Sequence, residues 1–151
     1  MNSDREPVTI RKALFSDFDK IVEVEVSSFK RPYTPTLLFS LLHLHGDMFY
    51  VALVGEEIVG YAVGAKRREG DGHVISIAVR PEWRRKGIGT KLMETLLNAF
   101  KKRGLKRAVL EVAVSNREAI AFYERLGFKT ITLLKGYYPW REDAYLMDKE
   151  L

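Results

Sequence analysis

Three side chains in this sequence are placed to move a proton. Glu111 is a carboxylate inside an otherwise apolar run, Ala108-Val109-Leu110-Glu111-Val112-Ala113-Val114. A charge that breaks such a pattern marks a position used for more than packing; the competing reading is a structural partner for a nearby arginine or lysine. His73 opens a second apolar run ending at Val79. Its imidazole type exchanges protons near neutral pH, and its competing reading is a strand-end histidine facing solvent. Tyr123 supplies a phenol that can hydrogen-bond to, and protonate, a departing anion, although its spacing from Ala119 and Leu126 equally suits a core face. His43 and His45 sit beside Gly46 at the end of a helical pattern, where the helix dipole favours them without any chemistry. The chain has no cysteine, which excludes a thiol nucleophile, a thiolate metal site and a disulfide framework.

A fourth feature is a stretch rather than a residue: Ile77-Ala78-Val79-Arg80-Pro81-Glu82-Trp83-Arg84-Arg85-Lys86-Gly87-Ile88-Gly89. Pro81 keeps Arg80 extended, so the strand ends in line with a basic turn, and an amphipathic helix follows. Gly87 and Gly89 let backbone amides approach a ligand where a side chain would obstruct it. Arg84, Arg85 and Lys86 add positive charge beside the positive end of the helix dipole. Such a turn can hold an anion, and it reads about equally well as an ordinary strand-to-helix connection with solvated basic residues.

Periodicity and punctuation supply the elements that carry these residues. A short strand over Val8–Ala13 precedes a helix from about Asp17 to Ser28, capped by Ser16 or Asp17, with Phe18, Ile21, Val22 and Val26 on its apolar face. Two prolines stiffen the loop Phe29-Lys30-Arg31-Pro32-Tyr33-Thr34-Pro35. A helix from about Thr36 to His45 follows. Strands at Met48–Val54 and Ile58–Lys66 flank a Gly55-Glu56-Glu57 turn, and a polar connection leads to His73–Val79. A helix with Ile88, Leu92, Met93, Leu96, Leu97 and Phe100 at helical spacing stops near Gly104. The strand Ala108–Val114 is followed by a helix capped by Ser115 or Asn116 and ended by Gly127. Strands Phe128–Leu134 and Ala144–Lys149 complete the chain. Hairpin-paired strands followed by alternating strands and helices imply a mixed α/β sheet.

The 151 residues are most simply one domain, 1–151. Charged residues make up 30% and hydrophobic ones 46%, which places the chain among globular proteins and not disordered ones. The N-terminus, Met1 to Glu6, has no apolar leader core, and no apolar run is long enough to span a bilayer, so a cytoplasmic location is expected. The net charge of +5 suits an anionic ligand. Nucleic acid is disfavoured, because the basic residues are scattered and few interleave with exposed aromatics. No metal ligand set is expected.

Three blocks in order carry a resemblance. Arg84-x-x-Gly87-x-Gly89 after an apolar strand is similar to the acetyl-CoA signature of the GNAT superfamily. The second block is Leu110-Glu111-Val112 followed by Asn116-x-x-Ala119-x-x-Phe122-Tyr123-x-x-Leu126-Gly127-Phe128. The third is Lys135-Gly136-Tyr137-Tyr138 with Glu142-Asp143-Ala144-Tyr145-Leu146-Met147, and it resembles the tail of RimI-type and archaeal N-terminal acetyltransferases. The resemblance implies a GNAT fold: a central mixed, mostly antiparallel sheet of about seven strands flanked by about four helices.

The resemblance also implies acetyl-CoA as co-substrate. The backbone of Ile77, Ala78 and Val79 would hold the pantetheine arm and acetyl carbonyl, and the amides from Arg84 through Thr90 (Arg84, Arg85, Lys86, Gly87, Ile88, Gly89, Thr90) would wrap the pyrophosphate. Asn116 would touch the coenzyme arm and Tyr123 would lie near the sulfur. In RimI-type enzymes the residue matching Glu111 is the proton acceptor, and in archaeal relatives a histidine matching His73 lies near the substrate amine. The loop bearing Phe29, Pro32 and Tyr33 and the hairpin bearing Tyr137 and Tyr138 would clamp the substrate, a protein N-terminus, with ribosomal proteins among the candidates. Some archaeal relatives carry a glutamate in the first loop where this chain has Lys30 and Arg31, which points to an acidic or unusually broad first-residue preference.

The chemistry fits such a transfer on its own terms. An α-amine has a pKa of about 8 and must lose a proton before it attacks a thioester; without cysteine, direct attack is the simplest route. Lysine side chains or small amines are the alternative acceptors. Outside catalysis, a nucleic-acid-binding module and a non-catalytic acyl-CoA sensor are the competing classes.

Overall fold

Seven strands and four α-helices, counted among the described residues, follow the order the apolar periodicities dictate. In this computed structural model residues 7–68 and 70–151 are described; Met1 to Glu6, read above for a leader, and Glu69 of the polar connection lie outside the described residues. The elements are β1 (Val8–Lys12), α1 (Phe18–Ser28), α2 (Pro35–Leu44), β2 (Phe49–Val54), β3 (Glu57–Arg67), β4 (Asp71–Val79), α3 (Ile88–Lys102), β5 (Arg107–Ala113), α4 (Arg117–Arg125), β6 (Lys129–Leu134) and β7 (Ala144–Glu150). The strands are ordered β1-β2-β3-β4-β5-β7-β6. The chain divides into two units. The first holds the residues up to Ala65 together with Val74–Ala99, and the second holds Lys66–His73 with Phe100–Leu151.

In the first unit β1 and β3 both pair antiparallel with β2, with Val8 opposite Val54 and Phe49 opposite Val63. The β2–β3 turn is closed at Gly55, whose φ of +61° suits glycine. Phe49 and Tyr61 stack at 5.4 Å and pack with Ile21, Val24, Leu38, Leu41 and Leu42 from α1 and α2. Gly60 is required by crowding: a Cβ there would sit 2.8 Å from the carbonyl oxygen of Ala78.

The α1 face differs from the periodic expectation. Ile21, Val24 and Glu25 are buried, while Val26 is 59% exposed. Positions 21, 24, 25 and 28 share one face at 3.6 residues per turn, and 26 falls off it. Asp17 does not cap α1 with its side chain. Its carboxylate instead accepts from the Leu14 amide at 2.7 Å and from two nitrogens of Arg11 at 2.7 and 3.0 Å, which closes the turn that enters the helix. Helix α2 starts as its sequence demands, with Pro35 in the first turn and the Thr34 hydroxyl accepting from the Leu37 amide at 3.2 Å.

In the second unit Asp71, Gly72 and His73 of β4 pair in parallel with Arg107, Ala108 and Val109 of β5. β7 runs antiparallel to both β5 and β6. Arg107 bridges Asp71 (2.9 and 3.1 Å) and Asp148 (2.9 Å), fixing the start of β5 between β4 and β7. The position of Gly72 is filled from outside, since a Cβ would meet the ring of Phe100 at 2.4 Å. Asn116 caps α4, its side-chain oxygen accepting from the Ala119 amide at 3.2 Å.

Candidate active site

Glu111 lies in the middle of β5, opposite Leu146 of β7, and its side chain is only 8% exposed. Two cationic or ionisable partners meet it there. Arg67, at the end of β3, donates from Nη1 to Oε2 at 2.8 Å, and His73 Nε2 lies 2.7 Å from Oε1. Burial by itself would push the carboxyl upward, but the bonds and charges of His73 and Arg67 overcome it and hold Glu111 down at about 2. The Tyr137 hydroxyl, from the β6–β7 loop, is raised from its ordinary value, first by burial and then by the Glu111 charge and a hydrogen bond to it, with Arg67 acting in the opposite sense.

This arrangement fixes the imidazole. Glu111 is an ionised acceptor with no proton to give, so Nε2 of His73 carries the hydrogen. In the neutral ring Nδ1 then keeps the lone pair. The His73 side chain is 20% exposed, so the ring is held by the carboxylate without being sealed away. Arg67 was not singled out from the sequence, where it reads as part of the polar connection. β3 is a continuous apolar run that extends two residues past its last apolar position, to Lys66 and Arg67, and no local pattern distinguishes Arg67.

Tyr123 is half-buried on α4 and its ring packs against Phe122 at 5.5 Å and Phe128 at 5.9 Å. Asn116 spends its side-chain oxygen on the α4 cap, and its NH₂ is the remaining polar group of that amide. The β6–β7 loop is tied down around its tyrosines. The Gly136 amide donates to Asp143 Oδ1 at 2.8 Å and the Tyr138 amide to the Glu142 carbonyl at 3.1 Å. Glu142 also accepts from Trp140 Nε1 at 2.9 Å and from the Ser115 hydroxyl. Tyr137 and Tyr138 meet edge-on at 5.0 Å, and Tyr138 stacks on Trp140 at 4.7 Å. Trp140 extends this aromatic cluster and was not among the residues expected from sequence.

In the first unit the basic turn leads into α3 through two residues in the left-handed region. Arg85 and Gly87 adopt φ of +63° and +82°. The first intrahelical bond of α3 runs from the Lys91 amide to the Gly87 carbonyl at 3.1 Å. The amides of Ile88, Gly89 and Thr90 precede it and belong to the opening turn, whose N–H groups lack intrahelical partners in any helix. The space where a Gly87 Cβ would sit is open, as backbone capture of a phosphate group requires. Arg84 is used differently. Its amide donates to the Pro81 carbonyl at 3.3 Å, and its Nε and Nη2 donate to the carbonyls of Val79 (3.0 Å) and Ser28 (3.3 Å). Arg84 therefore braces the end of β4, leaving Arg85 and Lys86 as the exposed basic side chains of the turn. Ala78 and Val79 are buried and Ile77 is half-buried.

The loop between α1 and α2 places Phe29 and Tyr33 half-buried against the core, with Lys30, Arg31 and Pro32 exposed. Its anchor is a second residue that periodic reasoning left aside. Glu25 is 2% exposed and accepts from the Tyr33 amide at 2.8 Å and from the Tyr61 hydroxyl. Among the described residues no group of three or more histidine or acidic side chains is placed to hold a metal ion. No helix among them is long and apolar enough to cross a membrane.

Comparison with known proteins identifies the family and the fold. The family described as "Acetyltransferase (GNAT) family" matches residues 18–128. An N-alpha-acetyltransferase of Saccharolobus solfataricus is 39% identical over 155 residues, covering 95% of this chain and 93% of that protein. Ard1 from Thermoplasma volcanium superimposes with a TM-score of 0.91 at 30% identity, covering 95% of this chain and 97% of that one. The ribosomal-protein-S18-alanine N-acetyltransferase of Escherichia coli gives a TM-score of 0.84 at 29% identity over 95% and 94% of the two chains. The chain belongs to the GNAT acetyltransferase family, whose acyl donor is acetyl-CoA.

Proposed function

We propose that this protein, acting as one domain in the cytoplasm, transfers acetyl from acetyl-CoA to the α-amine of protein N-termini, with His73 as proton acceptor and Glu111 as the residue that positions it. The observation that carries the division of roles is the contact of His73 Nε2 with Glu111 Oε1 at 2.7 Å while Arg67 occupies Oε2. Proton transfer from an ammonium of pKa about 8 to a carboxylate held at about 2 is uphill by roughly 8 kcal/mol, so Glu111 is the weaker choice as direct acceptor. It serves better by fixing the tautomer and stabilising the imidazolium once Nδ1 has taken the proton. The neutral amine then attacks the thioester carbonyl. The carbon–sulfur bond breaks as the nitrogen gives up its second proton; the departing thiolate receives a proton from Tyr123, and the proton released by the nitrogen restores the phenol. The opening amides of α3, with Arg85 and Lys86, suit the pyrophosphate, and Ile77–Val79 and Asn116 suit the pantetheine arm.

Phe29, Pro32, Tyr33, Tyr137 and Tyr138 supply rings and hydroxyls for an extended peptide. Lys30 and Arg31 favour N-termini with acidic residues, and ribosomal proteins are among the substrates to test, given the specificity named for the E. coli relative. The test is acetyl-CoA turnover with peptides that differ in their first residues, with N-terminally blocked lysine peptides and with polyamines. Product masses should locate the acetyl group on the free α-amine. Transfer to blocked, lysine-containing peptides at equal rate would overturn the assignment in favour of side-chain or small-amine acceptors. In the same assay His73→Ala should lower kcat by about 10²- to 10⁴-fold, with KM for acetyl-CoA little changed.

A further inference from the structure

Glu25 lies outside the acid–base machinery. It sits near the C-terminal end of α1 in a buried position, and among the described residues its hydrogen-bond donors are neutral groups from two other segments: the Tyr33 amide and the Tyr61 hydroxyl. The hydroxyl of Tyr61 also meets Ser76 Oγ at 2.9 Å. Tyr61 has one hydrogen, and it goes to Glu25, so Ser76 donates to the phenol oxygen. The chain of bonds runs from the α1–α2 loop through Glu25 and Tyr61 to β4, one residue before Ile77. Ser28, three residues along the same helix face, makes a second tie to that strand: its hydroxyl donates to the Val79 carbonyl at 3.3 Å, and its own carbonyl accepts from Arg84. One turn of α1 therefore holds the loop and both ends of the Ser76–Val79 segment.

A buried carboxylate without a cation is costly; burial raises its pKa, against the lowering effect of the Tyr61 and Tyr33 bonds. An apolar residue would fill the same space without that cost but could not accept from the Tyr33 amide. We propose that Glu25 is a positioning residue that fixes the α1–α2 loop for substrate and couples it to the β4 segment that holds the acyl donor. The inference rests on the substrate and donor assignments made above for Tyr33 and Ile77–Val79.

Two readouts separate the inference from those assignments. Amide hydrogen exchange at Tyr33 should accelerate in Glu25→Ala, while β2 amides stay protected, and this reports on the anchor without any substrate. In steady state Glu25→Ala should raise KM for peptide by about 10- to 100-fold with a smaller effect on kcat. Glu25→Gln should largely restore it, because its oxygen can accept from Tyr33 while its NH₂ donates to Tyr61, which turns to donate to Ser76. Tyr33→Ala is the control for the loop. If Tyr33→Ala leaves peptide KM unchanged, the substrate loop is wrongly assigned. If Tyr33→Ala raises peptide KM but Glu25→Ala does not, or if Tyr33 exchange is unaltered in Glu25→Ala, the positioning role is overturned.

Discussion

Replacing Glu111 by glutamine removes one negative charge and keeps the side-chain volume. In the wild type the carboxyl is held at about 2 against an ordinary 4.5, which at ~1.4 kcal/mol per decade is about 3 kcal/mol in favour of the folded state at neutral pH. The Arg67 side chain is 36% exposed, so solvent screens part of this, and about 2 kcal/mol is the expected net contribution. The sign follows from the depressed value. The contribution is complete above pH 4.5 and is lost as pH falls toward 2, when the folded state must take up the proton. Denaturant unfolding followed by circular dichroism should therefore show Glu111→Gln less stable than wild type by about 2 kcal/mol at pH 6, with roughly three quarters of that gap gone at pH 2.5. A gap of constant size from pH 6 to pH 2.5 would refute the claim that Glu111 is ionised and ion-paired in the folded protein. The positioning role of Glu111 would fall with it.

Gly60→Ala pushes a Cβ to 2.8 Å from the Ala78 carbonyl oxygen; since the opposing atom is backbone and cannot swing aside, the substitution should cost about 1–3 kcal/mol, read as a lowered melting temperature. Gly87→Ala meets no atom within 4 Å but must adopt a φ of +82°, so it should cost about 1–2 kcal/mol of stability and raise KM for acetyl-CoA. An unchanged KM would separate Gly87 from the phosphate cradle.

The elements were readable where one strong local signal decides them. Asn116 precedes a helical apolar pattern and caps α4 with its side chain, and Gly55 closes the β2–β3 turn. The central strands and α3 follow from apolar runs that no other structure would bury. What escaped depended on partners far along the chain. Glu111 drew notice as a break in a strand pattern, but its partners are 44 and 38 residues away, and sheet register, not local spacing, selects Arg67. Asp17 carried a good capping type but was claimed by Arg11 across the turn. Glu25 was passed over because a charged residue in a helix normally faces solvent; only the satisfaction of its carboxylate by Tyr33 and Tyr61 makes burial tolerable. Sequence periodicity gave Val26 to the core and the structure gives it to solvent, a one-residue rotation that also turns Glu25 inward.

The ring of Phe100 fills the volume that a side chain at position 72 would need, and position 72 immediately precedes His73. The ring therefore packs on one face of β4, while the next side chain, His73, belongs to the opposite face, where the Glu111 carboxylate meets its Nε2. Trimming Phe100 would open a cavity against Gly72, so this ring and this glycine can be exchanged only together, as a matched pair.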